Sequence, residues 1–177
     1  MACTVVLSPF DRGCSSVSGI EKIYMINKAA RITAGVTVSV TAGAAIIGGT
    51  GGTAYEWNPL QNGFSFSQPI TQDNSAGTSS LVQTLDGVLH GYSALTVYIS
   101  EQLRLGRFEA AIKMRNGTYI YAGLDSTGLQ VAGGDAGATG ASINDPNGTT
   151  INMTCESQNE APTFTFPEFA AAFTIET

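Results

Sequence analysis

Apolar and polar residues alternate along most of this chain with the period of a β-strand. Val36, Val38 and Val40 lie two positions apart within residues 32–40, so their side chains share one face of a strand. Another apolar run begins at Ile20, and short runs recur up to the last residues, separated by Gly, Asn and Pro. The pattern therefore predicts a mainly β fold.

Turn signals between these runs predict β-hairpins. Asn116 and Gly117 stand between two apolar runs, and Asn-Gly is the strongest short-range hairpin signal. The sequence DPNG at residues 145–148 has the composition of a second turn between two strands. The last strand is predicted from about Phe164 to Ile175.

Two segments are predicted to serve assembly. Residues 61–92 carry few charges and have a turn-rich centre, which predicts a long hairpin with strands near 64–71 and 79–92. Residues 1–19 contain turn signals without a strand or helix period, and we interpret them as an N-terminal arm. Because no linker composition divides the chain, residues 1–177 are expected to form a single domain.

One segment, at about residues 93–106, has the period of an α-helix. Ser93 is a good N-cap residue, and Gly106 stands where a C-cap belongs. The helical stripe between them consists of Leu95, Tyr98, Ile99, Leu103 and Leu105. The elements together predict an antiparallel β-sandwich or barrel with one flanking α-helix.

The composition adds that the chain is suited to contact other subunits. Hydrophobic residues make up 43% of the chain and charged residues only 12%, about half the usual charged share. So few charges favour a subunit that buries much of its surface against other subunits. The net charge of −6 argues against a protein that grips nucleic acid, because such proteins need a basic face. An acidic surface past which DNA slides without adhering remains compatible with it.

The cysteines and the N-terminus indicate a reduced, cytoplasmic place of synthesis. Three cysteines, Cys3, Cys14 and Cys155, are too few and too scattered for a disulfide framework. Whether Cys3 and Cys14 pair is left open by the sequence. The N-terminal segment lacks the basic and apolar regions of a signal peptide, and the apolar run at 34–52 is too broken for a membrane span.

Motifs for chemistry are weak throughout. His90 is the only histidine, and no GxSxG nucleophile elbow accompanies it, so a structural or surface role is favoured over a catalytic one. The glycine-rich residues 133–142 lack the lysine of a phosphate-binding loop and do not lead into a helix. We interpret them as a loop between two strands.

A calcium loop is the remaining alternative, and it is disfavoured. Asp145 and Glu156 have the spacing of the first and last ligands of an EF-hand loop, but Pro146 and the β-patterned residues after it do not suit that motif. The turn aspartates are Asp125, Asp135 and Asp145, and one tryptophan, Trp57, is thin support for a sugar-binding cleft. We therefore assign no catalytic, cofactor-binding or metal-binding residue, and expect no enzyme.

Three segments resemble a known class of proteins: SGIEKIYMINKAARIT at 18–33, the helix–hairpin–strand block at 94–130, and TGASINDPNGTTINMTCESQNEAP at 139–162. In this order they are similar to virion structural proteins of tailed bacteriophages, most of all tail tube subunits of phages from Bacteroidetes-type hosts. The resemblance implies a β-sandwich or barrel with a helix on its flank. It also implies hexameric rings that stack through N-terminal segments, loops and long hairpins.

The function implied by the resemblance is structural. Stacked rings would form the channel through which DNA passes into the host without specific binding, and the partners would be copies of this chain and other tail or neck proteins. The expected location is the virion tail after synthesis in the host cytoplasm, without cofactor or membrane. Alternatives are another virion structural protein (head decoration, neck or tail terminator), a secreted β-sandwich binding module, and a small hydrolase.

Overall fold

The structure is a computed structural model, and it describes residues 19–59, 63–73, 78–91, 93–125, 127–134, 138–139 and 147–177. Except for Gly19, the predicted arm of residues 1–19 lies outside the described residues. In chain order the described elements are β1 Ile20–Asn27, α1 Lys28–Thr33, β2 Thr37–Thr41, β3 Ala44–Gly48, β4 Gly52–Trp57, β5 Phe64–Ser67, β6 Ile70–Asp73, β7 Thr78–His90, α2 Ala94–Leu105, β8 Phe108–Met114, β9 Tyr119–Ala122, β10 Gln130–Gly133, β11 Ala138–Thr139, β12 Asn147–Ser157, α3 Phe166–Ala172 and β13 Phe173–Glu176.

The mainly β prediction is confirmed, with two sheets that pack as a sandwich. Sheet A has five strands in the order β13-β4-β1-β8-β9, and sheet B has the order β10-β12-β7-β5, with β6 and β11 at its ends. All neighbouring strands are antiparallel except β13 and β4, which are parallel. The described strands form no closed barrel.

A first hydrophobic core fills the space between the two sheets. Sheet A contributes alternate residues such as Ile23, Met25 and Ile112, and sheet B contributes Leu85 and Met153. The other buried members are Ile20, Phe64, Leu103, Ala110, Ala122, Leu129, Ile151 and Cys155. Burying one such aliphatic side chain stabilises a fold by about 1.5–3 kcal/mol, so this core holds the sandwich together.

A second core covers the opposite face of sheet A and is mainly aromatic. Its rings belong to Tyr24, Tyr121, Phe164, Phe169 and Phe173, under the β2–β3 hairpin and α3. The rings of Phe169 and Phe173 stack with centroids 4.7 Å apart. Sheet A is therefore buried on both faces at its centre, which explains why four consecutive residues of β1, Ile23 to Ile26, are all inaccessible to solvent.

The predicted helix is confirmed as α2, with both of its ends where the sequence indicated. The hydroxyl of Ser93 accepts a hydrogen bond from the Thr96 N–H at 3.2 Å, and the Ser93 N–H donates to the Thr96 hydroxyl at 2.9 Å. Gly106 ends the helix in an extended conformation, φ −102°. A larger residue there would collide with the ring of Phe108, so close approach rather than a left-handed turn requires glycine.

The prediction of a single helix is wrong, because two short helices replace parts of predicted strands. β1 stops at Asn27, whose side chain accepts a hydrogen bond from the Ala30 N–H at 3.2 Å and caps α1. The predicted strand from Phe164 to Ile175 is mostly α3, which has a proline in its first turn, and only β13 is extended. Helices of this length depend on tertiary packing, here by Phe169 against the aromatic core.

The two predicted turns have different outcomes. β8 and β9 form the predicted hairpin, where the Gly117 N–H donates to the Met114 carbonyl at 3.0 Å and Gly117 has φ +85°. The turn predicted at residues 145–148 is wrong in its second half, because Asn147 and Gly148 are already paired residues of β12. Residues 145 and 146 lie outside the described residues.

The long hairpin predicted at residues 61–92 is confirmed in its described residues, 63–73 and 78–91. β5 and β6 both pair with β7, in registers that run from Phe64 opposite Gly87 to Asp73 opposite Thr78. The partner on the other side of β7 is β12, whose pairing begins only at Leu81. Residues 78–80 and the strand opposite them therefore extend beyond the sheet as a two-stranded projection.

Gly87 offers a test of how closely the strands of sheet B approach the core. The ring of Phe64 lies over this glycine, and a methyl group there would overlap the ring. We expect Gly87→Ala to lower the free energy of unfolding by about 1–3 kcal/mol, measured by urea denaturation. Gly133→Ala is the matched control, because nothing lies near that position in β10. Equal stabilities of the two variants would contradict this packing.

Candidate functional site

Of the residues considered for chemistry, those that the structure describes lie apart from one another. His90 is the last residue of β7, exposed and paired with Gly148 of β12. Asp125 is half-buried and follows β9, whereas Asp135 and Asp145 lie outside the described residues. Trp57 is half-buried against the first core, with its ring 6.3 Å from that of Phe64. His90, Asp125 and Trp57 are therefore explained by their places in the fold and form no common site.

The geometry of β12 overturns the calcium alternative. Thr149 and Glu156, which would be ligands five and twelve of the loop, belong to one continuous strand. A strand rises about 3.3 Å per residue, so these two residues are roughly 23 Å apart and cannot bind one ion. No group of three His, Cys, Asp or Glu residues that could hold a metal occurs among the residues that the structure describes.

The glycine-rich segment at 133–142 is described only in part. Gly133 ends β10, and Ala138 and Thr139 form β11 against the start of β12. Gly134 packs against the Thr150 carbonyl with φ +134°. The prediction of a loop between two strands is therefore wrong at Ala138 and Thr139, which form a strand inside this segment.

Cys155 is a buried thiol rather than a reactive one. Its Sγ lies 3.6 Å from the Thr127 hydroxyl, within the first core. Burial raises the pKa of this thiol, which disfavours the nucleophilic thiolate. Cys3 and Cys14, the pair left open by the sequence, lie outside the described residues.

The one dense group of ionisable side chains is buried inside the fold, around Glu109 of β8. Its carboxylate is fully inaccessible. Arg31 Nη2 donates a hydrogen bond to this carboxylate at 3.0 Å. Arg31 Nε lies 2.7 Å from the other carboxylate oxygen and forms an ion pair with it, but not a hydrogen bond. Lys28 Nζ lies 3.4 Å from the same carboxylate, and the Tyr121 hydroxyl donates to it at 2.9 Å. We call these four residues the Glu109 cluster.

The cluster also binds the backbone around it. Lys28 Nζ donates to the carbonyls of Gly123 at 3.1 Å and Leu124 at 2.9 Å, and to that of Asp125. Arg31 Nη1 donates to the Val36 carbonyl at 2.7 Å. Because every oxygen of the carboxylate already has a donor and water has no access, the cluster is suited to hold α1, β8 and β9 together and not to act on a substrate.

Sequence reasoning missed this cluster, although a signal was present. Glu109 follows Phe108 and precedes three apolar residues in an otherwise apolar strand. A lone carboxylate in such a run needs a buried cation, and Lys28 and Arg31 are two of only eight cations in the chain. What the sequence could not supply is the pairing of β1 with β8, which brings them together.

The outer face of α2 carries three of the eight large apolar side chains that are exposed among the described residues. The predicted stripe is divided: Leu103 is buried and Ile99 partly so, whereas Leu95, Tyr98 and Leu105 face solvent. Leu105 is 84% exposed, and beside it Ile32 of α1 is 60% exposed across a shallow groove. A helix that covers a core with one face normally has a polar outer face.

Other apolar side chains and open edges lie elsewhere on the surface. Ile70, at the base of the projecting hairpin, is 63% exposed. On the β2–β3 hairpin, Val40 and Ile46 are about half exposed. Strands β2 and β13 each have one neighbour in the described sheets, so their outer backbone groups are available for pairing.

Comparison with known proteins identifies no family to which this chain belongs. No protein-family model, no curated protein and no solved structure matches this chain. The inference of function therefore depends on the geometry above and on the resemblance in sequence. In the described part of the chain, no helix has the length and apolar character needed to cross a bilayer.

We expect Glu109→Ala to be strongly destabilising, because it leaves Lys28 and Arg31 buried without their counter-ion. Breaking a buried ion pair in this way costs about 3–5 kcal/mol, which chemical denaturation measures. The control is Glu21→Ala, which removes an exposed pairing with Lys113 at 2.5 Å and should leave the transition near that of the wild type. Similar transitions for the two variants would show that the cluster does not hold the fold.

Tyr121 is expected to make the free energy of unfolding depend on pH in the alkaline range. Burial, and then the Glu109 carboxylate, hold the pKa of the Tyr121 hydroxyl well above its ordinary value. In the unfolded chain this group loses its proton at about pH 10. The contribution of Tyr121 to the free energy of unfolding is therefore fully present below that pH and falls as the pH rises above it. The loss approaches about 1.4 kcal/mol per pH unit.

Tyr121→Phe removes this dependence together with the hydrogen bond to Glu109. The variant should be less stable at pH 7, by about 1–3 kcal/mol, and the difference from the wild type should narrow between pH 10 and 11.5 in urea titrations. A constant difference across that range would contradict the assigned role of the Tyr121 proton.

Proposed function

We propose that this chain is a structural subunit of a bacteriophage tail tube, which assembles into hexameric rings that stack around a channel for DNA. The observation that carries the proposal is the distribution of apolar side chains over the outside of a well-packed sandwich. Two complete cores lie inside, yet large apolar side chains remain exposed on α2, on the projecting hairpin and on the β2–β3 hairpin. Surfaces of this kind mark contacts with other proteins.

The projecting hairpin supports assembly in particular. An isolated two-stranded hairpin is marginally stable in water, and here residues 71, 72, 79 and 80 are exposed. Contact with a neighbouring subunit would supply the missing packing. The open edges of β2 and β13 offer backbone pairing to a neighbour in the same way.

The charge of the chain fits a channel for DNA. With a net charge of −6, an assembled lumen would repel phosphates and let DNA pass without adhering. The small number of charged residues, 12% of the chain, agrees with a subunit whose surface is largely covered by its neighbours. A catalytic function has no comparable support, since the described ionisable groups that cluster are sealed in the core.

Imaging of the purified full-length chain tests the proposal. We expect sedimentation velocity to show oligomers that grow with concentration, and negative-stain images to show six-fold rings and tubes. Rings that never stack would favour a neck or tail-terminator protein instead. A chain that stays monomeric at the highest attainable concentration would contradict a role in a tube.

A further inference from the structure

We propose that neighbouring copies of this chain bind each other in a head-to-tail manner, with the outer face of α2 in one copy against the β13 edge of the next. The inference rests on the proposed function, because it names the surfaces by which the ring would form. Its two surfaces are the α2 flank (Ile32, Tyr98, Arg104, Leu105 and Arg107) and the β13 flank (Tyr55, Glu168, Thr174 and Glu176).

The α2 flank combines apolar contact area with two arginines that form no ion pair within the described residues. Tyr98 and Leu105 lie two helical turns apart on the same side of α2, and Leu105 borders the groove next to Ile32. Arg104 and Arg107 are exposed, and within the described residues neither forms an ion pair. Glu101 on the same helix reduces the excess charge of this flank from +2 to +1.

Three exposed arginines, Arg104, Arg107 and Arg115, form no ion pair with another described residue. Lys28 and Arg31 belong to the Glu109 cluster, and the exposed lysines are paired, Lys22 with Glu56 and Lys113 with Glu21. In an acidic chain most cations are thus matched by nearby carboxylates. Arg104 and Arg107 are the two of these three arginines that belong to the α2 flank, where an acidic surface of a neighbouring copy would add attraction to the apolar contact.

The β13 flank has the complementary character. Glu168 of α3 and Glu176 of β13 are exposed, and the described residues provide no cation in contact with either. Tyr55, which lies opposite Glu176 in the register of β4 and β13, is 48% exposed and supplies apolar area. The outer edge of β13 has no strand beside it in the described sheets. Tyr55 and Glu176 point to one face of sheet A and Glu168 lies on α3 at the other face, so carboxylates stand on both sides of the open β13 edge.

The two flanks lie at different edges of the sandwich, so that a contact between them is heterologous. α2 packs on β10 and β12, at the side where Leu129 pairs with Phe108 of β8. β13 lies beyond β4 at a different edge, where Trp57 packs on Phe64 of β5. A heterologous contact closes into a ring when the rotation per subunit permits.

Charge exchange between the two flanks provides the test. We expect Arg104→Glu/Arg107→Glu to raise the concentration needed for assembly at least about tenfold, because like charges then face each other. Glu168→Lys/Glu176→Lys should have the same effect for the same reason. Circular dichroism checks that both variants stay folded, and Arg104→Lys/Arg107→Lys, which keeps both positive charges, is the matched control that should assemble normally.

Mixing the two double variants gives the sharper result. Each variant repels itself, but the altered α2 flank of one attracts the altered β13 flank of the other, and their remaining flanks are also opposite in charge. An equimolar mixture should therefore recover assembly at the wild-type concentration, in rings where the two variants alternate. Native mass spectrometry would then show equal numbers of each variant in every ring.

The outcomes separate this inference from the proposed function. If the wild type forms rings and the Arg104→Glu/Arg107→Glu variant forms them at the same concentration, the α2 flank is not the interface, while the proposed function stands. If both double variants fail to assemble and their mixture also fails, the pairing of these two flanks is wrong. A wild-type chain that never assembles overturns the proposed function and this inference together.

Discussion

The carboxylate of Glu109 is the contact on which the centre of this fold depends. It lies in the middle of sheet A, where β8 is covered on both faces and water cannot compensate its charge. Arg31 and Lys28 belong to α1, and Tyr121 belongs to β9. The carboxylate of Glu109 in β8 therefore joins α1, β8 and β9. Lys28 extends the same network to the carbonyls that follow β9.

The Glu109 cluster also explains the shape of the chain around it. β1 cannot continue past Asn27 as a strand, because the next residues must turn into α1 to bring Lys28 and Arg31 to the carboxylate. The two hydrophobic cores then lie on either side of sheet A, one aliphatic and one aromatic. A buried charge of this kind is a demanding arrangement, since removal of any one partner leaves the others unsatisfied.

The surface of the molecule differs from its core in how its polar and apolar groups are paired. Inside, the described polar groups of the cluster are paired with donors and carbonyls; outside, apolar side chains face solvent and exposed arginines form no ion pair with another described residue. A monomer would gain nothing from Leu105 in solvent, whereas a subunit gains contact area from it. The exposed side chains of α2 are therefore the feature on which the proposed interface depends.

Patterns that depend on neighbours along the chain were predictable from the sequence. The strand content, the Asn116-Gly117 hairpin, the long hairpin and the caps of α2 at Ser93 and Gly106 all follow from local geometry, and the structure has each of them. Local signals failed where packing between distant residues decides. Residues 166–172 have no strong helical period, and they form α3 because Phe169 must reach the aromatic core.

The same distinction applies to the candidate surfaces. The helical period of α2 identified five apolar positions, but only the placement of the helix on β10 and β12 decided that Leu103 is buried and Leu105 exposed. From composition, the sequence predicted a subunit covered by its neighbours, and from its motifs it predicted no catalytic site; both stay predictions. The Glu109 cluster and the two flanks of the sandwich were decided by tertiary structure, because strand pairing brings together residues some 80 positions apart, such as Arg31 and Glu109.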